Sequence, residues 1–469
     1  MITLSARALA SRLQEWRASA PAYRALADRI RLLVLDGVVA PGTRLPAERE
    51  LAAELGVSRT TIAAAYAALR EDGSIESVRG SGSVARLPHR PIAIPDLGGG
   101  PLDFSKATMP AYPGLAAAMR AAVDGVPAML ADSGFDPLGR DELRRAIAER
   151  YAARGLPTTP EQVMVTIGAQ HAMALIARTV LRRGDRVLVE SPTYPHAMDA
   201  MTGAGGRLVA VSVDAEAGWD ESALEQVIRR GSPALAYLMP DNHNPTGATM
   251  PTALLERTLA LAAAQGTVVL IDETMGELTI DGPTRPPAAV HGPAVLIGSV
   301  GKTLWGGLRV GWIRADPAFI RTLTRARFAS DLGTPAFEQL VVADLLPDFD
   351  RVLAERVGRL RAGRDHLVGE LARRLPDWRV PVPGGGLTAW VGLGRPASSQ
   401  LAIAARAAGL VITPGPRFAS DGAFERFIRI PFSHPREVTD RGLDVLERVW
   451  SGIPEAPAPS ALEELAAVV

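Results

Sequence analysis

The spacing of apolar residues along the 469-residue chain changes near residue 104. Before that point, apolar positions recur at helical intervals and predict helices over 23–36, 47–55 and 59–71. The segment 75–84, which follows, alternates around glycines as a pair of short strands does. Beyond residue 104, short apolar runs alternate with helical periods as far as residue 453, and this alternation predicts an α/β domain.

The predicted strands of the α/β domain are short apolar runs at 162–166, 186–190, 235–239, 268–271 and 295–297. Helical periods lie between them, for example over 169–181 and 253–264. Five segments follow from these patterns: a lead-in helix over 1–20, a helix-and-hairpin module over 21–87, a Pro/Gly-rich linker over 88–103, the α/β domain over 104–453 and a tail over 454–469. More than one domain is expected, because a chain of 469 residues is too long for a single compact core.

Composition narrows the class of protein. The formal net charge is +0, so a basic surface for nucleic acid has to be local. The absence of cysteine excludes disulfides and cysteine-ligated zinc and is typical of a cytosolic protein. Arg7, Arg12 and Glu15 interrupt the first 20 residues, and no apolar run is long enough to span a bilayer. We therefore expect a cytoplasmic protein with no leader, no membrane segment and no metal site.

Lysine is almost absent from the chain. Among 51 basic residues, only Lys106 and Lys302 are lysines. A bias towards arginine reflects genome composition, but a lysine that persists against it is more often needed for its amine, since a guanidinium stays protonated.

The N-terminal module has the organisation of a helix-turn-helix. The predicted helix over 47–55 ends at Gly56, and Ser58 is placed to cap the next helix. The start of that next helix presents Arg59 and small hydroxyls where base edges and phosphates would lie. Arg79 stands beside glycines in the predicted hairpin. The module is only weakly basic. From the helices and glycines alone, a small helical packing domain explains the pattern about as well as a DNA-binding module does.

Residues 41–61, Pro-Gly-Thr-Arg-Leu-Pro-Ala-Glu-Arg-Glu-Leu-Ala-Ala-Glu-Leu-Gly-Val-Ser-Arg-Thr-Thr, resemble the winged helix of GntR-type bacterial repressors. The resemblance continues through the hairpin, where Arg79-Gly80-Ser81-Gly82 would form the wing. It implies binding to a double-stranded DNA operator. The residues it implies as DNA contacts are Arg49, Ser58, Arg59, Thr60 and Thr61, with Arg44, Tyr66, Arg79 and Gly80 close by.

Candidate chemistry in the α/β domain lies at strand ends, where ligands collect in open α/β sheets. The motifs are Gly168-Ala169-Gln170, Asn244-Pro245-Thr246-Gly247, Asp272, Ser299-Val300-Gly301-Lys302 and Arg309. Each alone fits a common turn, a helix cap or a surface lysine better than a site. Together they offer an amine, a carboxylate, an amide donor and a phosphate cup, which are the parts that a pyridoxal phosphate site needs.

In this order the motifs resemble the type I fold of pyridoxal phosphate enzymes, the aspartate aminotransferase-like group, over residues 104–453. The resemblance implies that this domain includes a small C-terminal α+β subdomain. The resemblance implies pyridoxal 5′-phosphate as the cofactor, held on Lys302 as a Schiff base. Asp272 would pair with the pyridine nitrogen, Asn244 would donate to the phenolic oxygen and Tyr194 would stack on the ring. The residues implied to bind the phosphate are Ala169, Gln170, Ser299 and Arg309, and Arg429 is implied to bind the carboxylate of a substrate or effector.

The motif departs from the group at one position. A tyrosine usually follows the pyridine aspartate by two or three residues and contacts the phenolic oxygen, whereas this chain has Thr274 and Met275 there. Thr274 can donate a hydrogen bond, but it is shorter and far less acidic than a phenol. The departure predicts weak transamination rather than loss of the cofactor.

A GntR-type winged helix joined to an aminotransferase-like domain is the architecture of MocR-type regulators, the group that includes GabR. Within this group, the chain most resembles the YczR-like branch. This resemblance implies a homodimer, with domain exchange as an open possibility, in which an amino acid or amine displaces Lys302 and forms an external aldimine. Two alternatives stay open: a PdxR-like regulator that senses pyridoxal phosphate itself and controls vitamin B6 synthesis, and an active aminotransferase that carries a DNA-binding domain.

Overall fold

The computed structural model describes residues 3–13, 16, 21–35, 39, 42–78, 82–86, 102–131 and 133–453. The tail over 454–469, most of the predicted linker and Arg79 and Gly80 of the predicted wing lie outside these residues. Among the described helices, none combines the length and the apolar character needed to cross a membrane.

The N-terminal module is a winged helix. Its elements are α1 (Ala6–Leu13), α2 (Ala22–Leu35), α3 (Glu48–Leu55), α4 (Arg59–Glu71), β1 (Ile75–Val78) and β2 (Gly82–Ala85). Gly56 ends α3 in the left-handed region at φ 62°, and Ser58 caps α4 by accepting a hydrogen bond from the backbone N–H of Thr61. The two strands pair antiparallel, and the backbone of Arg44 adds an isolated bridge to Val84. The module thus has the helix-turn-helix and hairpin that the sequence predicts.

The lead-in helix α1 is part of this module and not a separate element. Leu9, Leu13 and Trp16 are buried in one hydrophobic cluster with Leu26 and Ile62 of the winged helix. Burying large apolar side chains contributes about 1.5–3 kcal/mol each. Leu9, Leu13 and Trp16 therefore help to stabilise the winged-helix module.

The large domain is built on an eight-stranded sheet. Its strands are β4 (Val163–Thr166), β5 (Arg186–Ser191), β6 (Arg207–Asp214), β7 (Gly218–Trp219), β8 (Leu235–Leu238), β9 (Val268–Asp272), β10 (Val295–Ser299) and β11 (Gly311–Arg314). The spatial order is β4-β11-β10-β9-β8-β5-β6-β7, in which β11 and β7 run antiparallel to their neighbours. The strands β4 and β8 are buried along their whole length, which explains their unbroken apolar runs. The strands β6 and β7 near one edge and the antiparallel β11 are additions to the predicted set.

Helices cover this sheet and connect its strands. They are α5 (Leu115–Ala122), α6 (Val126–Met129), α7 (Asp141–Ala153), α8 (Gly168–Val180), α9 (Pro195–Gly203), α10 (Glu221–Gly231), α11 (Thr252–Ala264), α12 (Pro317–Arg327), α13 (Ala336–Leu345) and α14 (Phe349–Arg374). The predicted helices over 169–181 and 253–264 correspond to α8 and α11 within one residue. Apolar side chains from both faces of the sheet form two clusters, so the sheet lies between two helical layers.

The small C-terminal subdomain has its own antiparallel sheet. Its elements are β12 (Thr388–Gly392), α15 (Ser398–Ala407), β13 (Leu410–Val411), β14 (Thr413–Pro414), β15 (Phe427–Pro431) and α16 (Arg436–Ser451). The three-stranded sheet has the order β12-β15-β14. The strand β13 pairs in parallel with β3 (Leu102–Asp103), so the last two residues of the predicted linker belong to this subdomain. The start of the effector domain is thereby joined to its C-terminal part.

Candidate functional site

A cavity of about 530 Å³ opens between the large sheet and the small subdomain. It lies beyond the carboxyl ends of β8, β9 and β10, where the topology of an α/β sheet places ligands. All ten residues that the sequence assigns to the cofactor and the effector line it: Ala169, Gln170, Tyr194, Asn244, Asp272, Thr274, Ser299, Lys302, Arg309 and Arg429. Residues up to 260 positions apart in the chain are therefore brought to one site.

The amine of Lys302 is held inside this cavity. Its Nζ donates a hydrogen bond to the backbone oxygen of Ala107 at 2.6 Å. Burial and, to a smaller extent, the charge of Arg429 lower the pKa of Lys302 to about 8, while Asp272 opposes the change. A larger fraction of the amine is therefore neutral near physiological pH than for an exposed lysine, which suits it to attack a carbonyl carbon.

Asp272 ends β9 and is 5% exposed. Its Oδ2 accepts a hydrogen bond from the hydroxyl of Tyr237 at 2.8 Å, and its Oδ1 accepts one from the backbone N–H of Thr274 at 2.9 Å. These two donors hold the carboxyl group of Asp272 in a fixed orientation. Tyr237 was not among the predicted site residues. The sequence feature that could have indicated it is a single tyrosine in the otherwise apolar strand β8, because a buried tyrosine hydroxyl needs a hydrogen-bond partner.

The phosphate end of the cavity is formed by the start of α8. Gly168 begins this helix at φ +77°, and a Cβ at this position would lie 2.7 Å from Nη2 of Arg309. The close approach lets Arg309 donate to the backbone oxygen of Ile167 at 2.9 Å. The free N–H groups of a helix start and an adjacent guanidinium favour a bound phosphate. Glycine is thus required at position 168, because a side chain there would collide with Arg309.

Two predicted phosphate ligands are partly engaged within the protein. The Oγ of Ser299 donates to the backbone oxygen of Val310 at 3.0 Å and accepts from the backbone N–H of Gly301 at 3.1 Å. The Nε2 of Gln170 donates to the backbone oxygen of His196 at 3.0 Å, while its buried Oε1 has no hydrogen-bond partner among the described residues. Both side chains therefore tie loops together at the site.

Arg429 projects from β15 of the small subdomain and is 6% exposed. Its Nη1 donates to Oδ1 of Asn244 at 3.3 Å, its Nη2 donates to the backbone oxygen of Ser105, and its Nε has no partner among the described residues. The guanidinium also lies over the ring of Phe418 at 5.0 Å. Burial lowers the pKa of Arg429 to about 10, so it remains charged at neutral pH and available to an anion. Ser105 and Phe418 are further site residues that sequence reasoning missed.

The position that usually carries a tyrosine is occupied by Thr274 and Met275, and both line the cavity. Tyr194 lies in the same cavity, with its ring edge-on to His196 at 5.4 Å. Burial raises the pKa of the Tyr194 phenol, and nearby Asp272 raises it further. The phenol is therefore neutral at physiological pH.

The residues present fit pyridoxal phosphate. The buried Oε1 of Gln170 and Nε of Arg429, which lack a protein partner among the described residues, are the kind of polar atoms that a ligand satisfies, because buried polar atoms are rarely left without a hydrogen bond. Lys302 would hold the aldehyde carbon, Asp272 the ring nitrogen and the start of α8 the phosphate. When bound, this cofactor supplies an electrophilic carbon and an electron-withdrawing ring.

The predicted DNA-contacting residues cluster at the start of α4. Ser58, Arg59 and Thr60 are exposed, and the hydroxyls of Ser58 and Thr60 lie 2.7 Å apart. The Arg59 side chain is 73% exposed, with its Nε 3.7 Å from a carboxylate oxygen of Glu48. An exposed cation at the start of the second helix of a helix-turn-helix has the placement that major-groove readers use.

The other predicted contacts differ in exposure. Arg49 and Arg44 are exposed, and the Arg44 guanidinium lies beside Gly82 at the base of the hairpin. Tyr66 differs from the prediction, because it is 1% exposed and its hydroxyl donates to the backbone oxygen of Pro46 at 3.0 Å. Tyr66 therefore supports the turn before α3 from inside the core and does not face DNA.

Comparison with known proteins supports both modules. Residues 114–446 match the family Aminotransferase class I and II, and residues 22–84 match Bacterial regulatory proteins, gntR family. The chain is 30% identical to the probable rhizopine catabolism regulatory protein MocR of Rhizobium meliloti, covering 77% of this chain and 79% of that protein. It is 27% identical to the uncharacterized HTH-type transcriptional regulator YdcR of Escherichia coli strain K12, covering 87% of this chain and 94% of that protein.

The effector domain also resembles a solved enzyme. The crystal structure of LysN, α-aminoadipate aminotransferase from Thermus thermophilus, complexed with N-(5′-phosphopyridoxyl)-L-leucine, matches with a TM-score of 0.68 and 29% identity over 76% of this chain and 94% of that chain. The predicted fold and cofactor are thus confirmed, and the YczR-like branch stays a prediction. The chain belongs to the MocR family of regulators, in which a DNA-binding GntR winged helix is joined to a class I and II aminotransferase domain whose cofactor is pyridoxal 5′-phosphate.

Proposed function

We propose that this MocR-family regulator detects an amino acid in the cavity at Lys302 and reports its presence to DNA in the cytoplasm. One observation carries the proposal: the amine of Lys302 and the guanidinium of Arg429 face the same cavity. A compound with a primary amine and a carboxylate would engage both. A simple amine would leave the Nε of the buried Arg429 without a partner, so an amino acid is favoured over an amine.

The coupling to the DNA-binding module starts in the segment 105–107. This segment offers the backbone oxygen of Ala107 to Lys302 and that of Ser105 to Arg429. Lys302 would hold the aldehyde carbon of the cofactor, and its Nζ, when not engaged there, donates to the backbone oxygen of Ala107. A carboxylate at Arg429 competes with Ser105. Both events therefore act on the same short stretch of backbone.

This stretch begins two residues after the end of β3, and β3 itself follows the sequence that connects the two domains. A shift of the segment 105–107 is thus transmitted to the start of the effector domain. We propose that effector binding changes the balance between two relative arrangements of the domains, and hence the spacing of two winged helices on DNA.

The protein is proposed to act as a homodimer. Helix-turn-helix proteins read paired half-sites with a two-fold axis, and aminotransferase-like domains are commonly dimeric. Sedimentation of the purified protein is expected to give a mass of two chains, and a single-chain mass at operator-binding concentration would contradict this part of the proposal.

A spectroscopic titration separates a sensor from an enzyme. The purified protein loaded with pyridoxal phosphate is titrated with single amino acids, and visible absorbance and binding to the DNA upstream of neighbouring genes are recorded together. We expect a stoichiometric change in absorbance with one amino acid and a parallel change in DNA affinity. Repetition with a 2-oxo acid acceptor tests for product.

Each alternative has its own outcome in this experiment. Sustained product formation that continues after many turnovers would replace the sensor by an active aminotransferase. A DNA response to pyridoxal phosphate added to the cofactor-free protein, with no response to any amino acid, would favour a regulator of vitamin B6 synthesis. A Lys302→Ala variant serves as the control, since it is expected to bind DNA while losing the absorbance change.

A further inference from the structure

A second cavity of about 390 Å³ lies behind the segment 109–110 and shares no lining residue with the first. Its lining is rich in cations and contains no aspartate or glutamate. The residues are Met109, Pro110, Arg356, Arg359, Leu360, Ala362, Gly363, His366, Ser433, His434, Pro435, Arg436 and Thr439. A concave site of this size with one sign of charge attracts ligands of the opposite sign.

The buried cation of this cavity is Arg356, which is 0% exposed. Its Nε donates to the backbone oxygen of Thr303 at 2.6 Å, and its Nη2 donates to that of Leu304 at 2.9 Å. Its Nη1 is buried and has no hydrogen-bond partner among the described residues. Because a buried charge with an unused donor is costly, the arrangement is incomplete without a partner for Nη1.

The other charges of the cavity divide into paired and unpaired groups. Arg359 lies 3.1 Å from Glu355, and the Nε2 of His366 lies 2.6 Å from Asp440, so both side chains already have a partner within the protein. Arg436 is exposed at the rim, and none of the ion pairs of the described residues involves it. The net charge that faces the cavity is therefore positive, and Arg356 and Arg436 provide it.

A further set of donors points to an anion. The helix α16 has 16 residues, and its first residue Arg436 and its N-cap Pro435 line the cavity, with no side-chain cap on its free N–H groups. Burial lowers the pKa of His434, so this ring is neutral and adds no charge to the cavity. The start of a helix and a buried guanidinium nitrogen thus line one space.

We propose that the second cavity is a binding site for a small organic oxyanion, a carboxylate or a phosphate, distinct from the cofactor site. The oxyanion accepts from Nη1 of Arg356, from Arg436 and from the start of α16. Met109, Pro110 and Leu360 form an apolar wall for the carbon skeleton of the ligand. Through Arg356 the ligand is one side chain away from the carbonyls that directly follow Lys302.

Calorimetric titration of the full-length protein loaded with pyridoxal phosphate tests the site. The probes are inorganic phosphate and succinate, at constant ionic strength because screening weakens every charge contact. We expect one saturable site per chain for at least one probe. Binding of phosphate alone identifies a phosphate ligand, and binding of succinate alone identifies a carboxylate.

Variants locate the binding. Arg436→Gln is expected to weaken it about fivefold or more, the size of a charge-assisted hydrogen bond of about 1 kcal/mol. Arg356→Gln is expected to abolish it, and if that variant does not fold, Arg436→Gln decides. The matched control Arg351→Gln changes an exposed arginine on the same helix α14 outside the cavity and should leave affinity unchanged.

Two results would overturn the proposal. One is that neither phosphate nor succinate shows saturable binding. The other is binding that survives Arg436→Gln but disappears in Arg429→Gln, because that pattern places the anion in the first cavity. The second result would leave the proposed amino-acid site intact, so the two proposals fail separately.

Discussion

Replacing Arg429 by glutamine tests the proposed effector class most directly. The arginine is 6% exposed, and it donates to Asn244 at 3.3 Å and to the backbone oxygen of Ser105. Its Nε has no partner among the described residues, so the guanidinium is only partly satisfied by the protein. Truncating one partner of a buried, hydrogen-bonded charge pair costs about 2–5 kcal/mol. We take about 3 kcal/mol, because glutamine can still fill space and donate one hydrogen bond; at about 1.4 kcal/mol per tenfold this is roughly a hundredfold loss of affinity.

The assay compares two ligands on two proteins. The amino acid that shifts the absorbance and the amine that lacks only its carboxylate are titrated into wild type and Arg429→Gln. The hundredfold loss is expected for the amino acid alone. The charge of Arg429 also lowers the pKa of Lys302, so the variant should need a higher pH for its cofactor-free lysine to react with an aldehyde. Equal losses for the amino acid and the amine would refute the assignment of Arg429 as the carboxylate ligand.

Three further predictions follow from particular contacts. Arg59→Ala is expected to weaken operator binding by about 1–3 kcal/mol without changing the cofactor absorbance, as measured by fluorescence anisotropy; loss of both would assign Arg59 a structural role. Tyr237→Phe removes one of two donors to Asp272 and should lower the free energy of unfolding by about 1–2 kcal/mol in denaturant titration, with an unchanged value counting against this contact. Burial raises the pKa of Glu273 from 4.5 to about 7, so the folded state binds the extra proton, and stability is full below pH 4.5 and falls as the pH rises to about 7. The expected loss of unfolding free energy is about 3 kcal/mol, at about 1.36 kcal/mol per pKa unit. Glu273→Gln should remove this pH dependence in denaturant titrations. A variant with the same pH profile as wild type would show that Glu273 is not the responsible group.

Local features of the chain were predictable from sequence because their causes are local. Ser58 precedes a helical apolar pattern, and its hydroxyl caps α4 as expected. Asp272 and Lys302 follow apolar runs, and the ends of neighbouring strands meet at one edge of a sheet. For these residues, position relative to a predicted element was enough to place the side chain.

Residues whose partners are distant in the chain were not predictable in this way. Arg356 lies in a helix rich in charged residues, yet it is buried because it holds carbonyl groups 53 and 52 residues away. Tyr66 is a different case. It follows Ile62 by four residues and precedes Leu69 by three, and this spacing places it on the buried face of α4. The burial of Tyr66 could therefore have been predicted from the sequence.

The two lysines differ in environment, and this difference gives the protein a simple chemical map. Lys106 is exposed at 73% of its side chain beside Asp103, whereas Lys302 is enclosed in the cavity. A protease that cuts only after unmodified lysine divides the denatured chain into 1–106, 107–302 and 303–469. Where reduction has fixed the cofactor to Lys302, the second cut is lost and 107–469 remains whole. The ratio of these fragments therefore gives the fraction of chains whose Lys302 was bound to the cofactor at the moment of reduction.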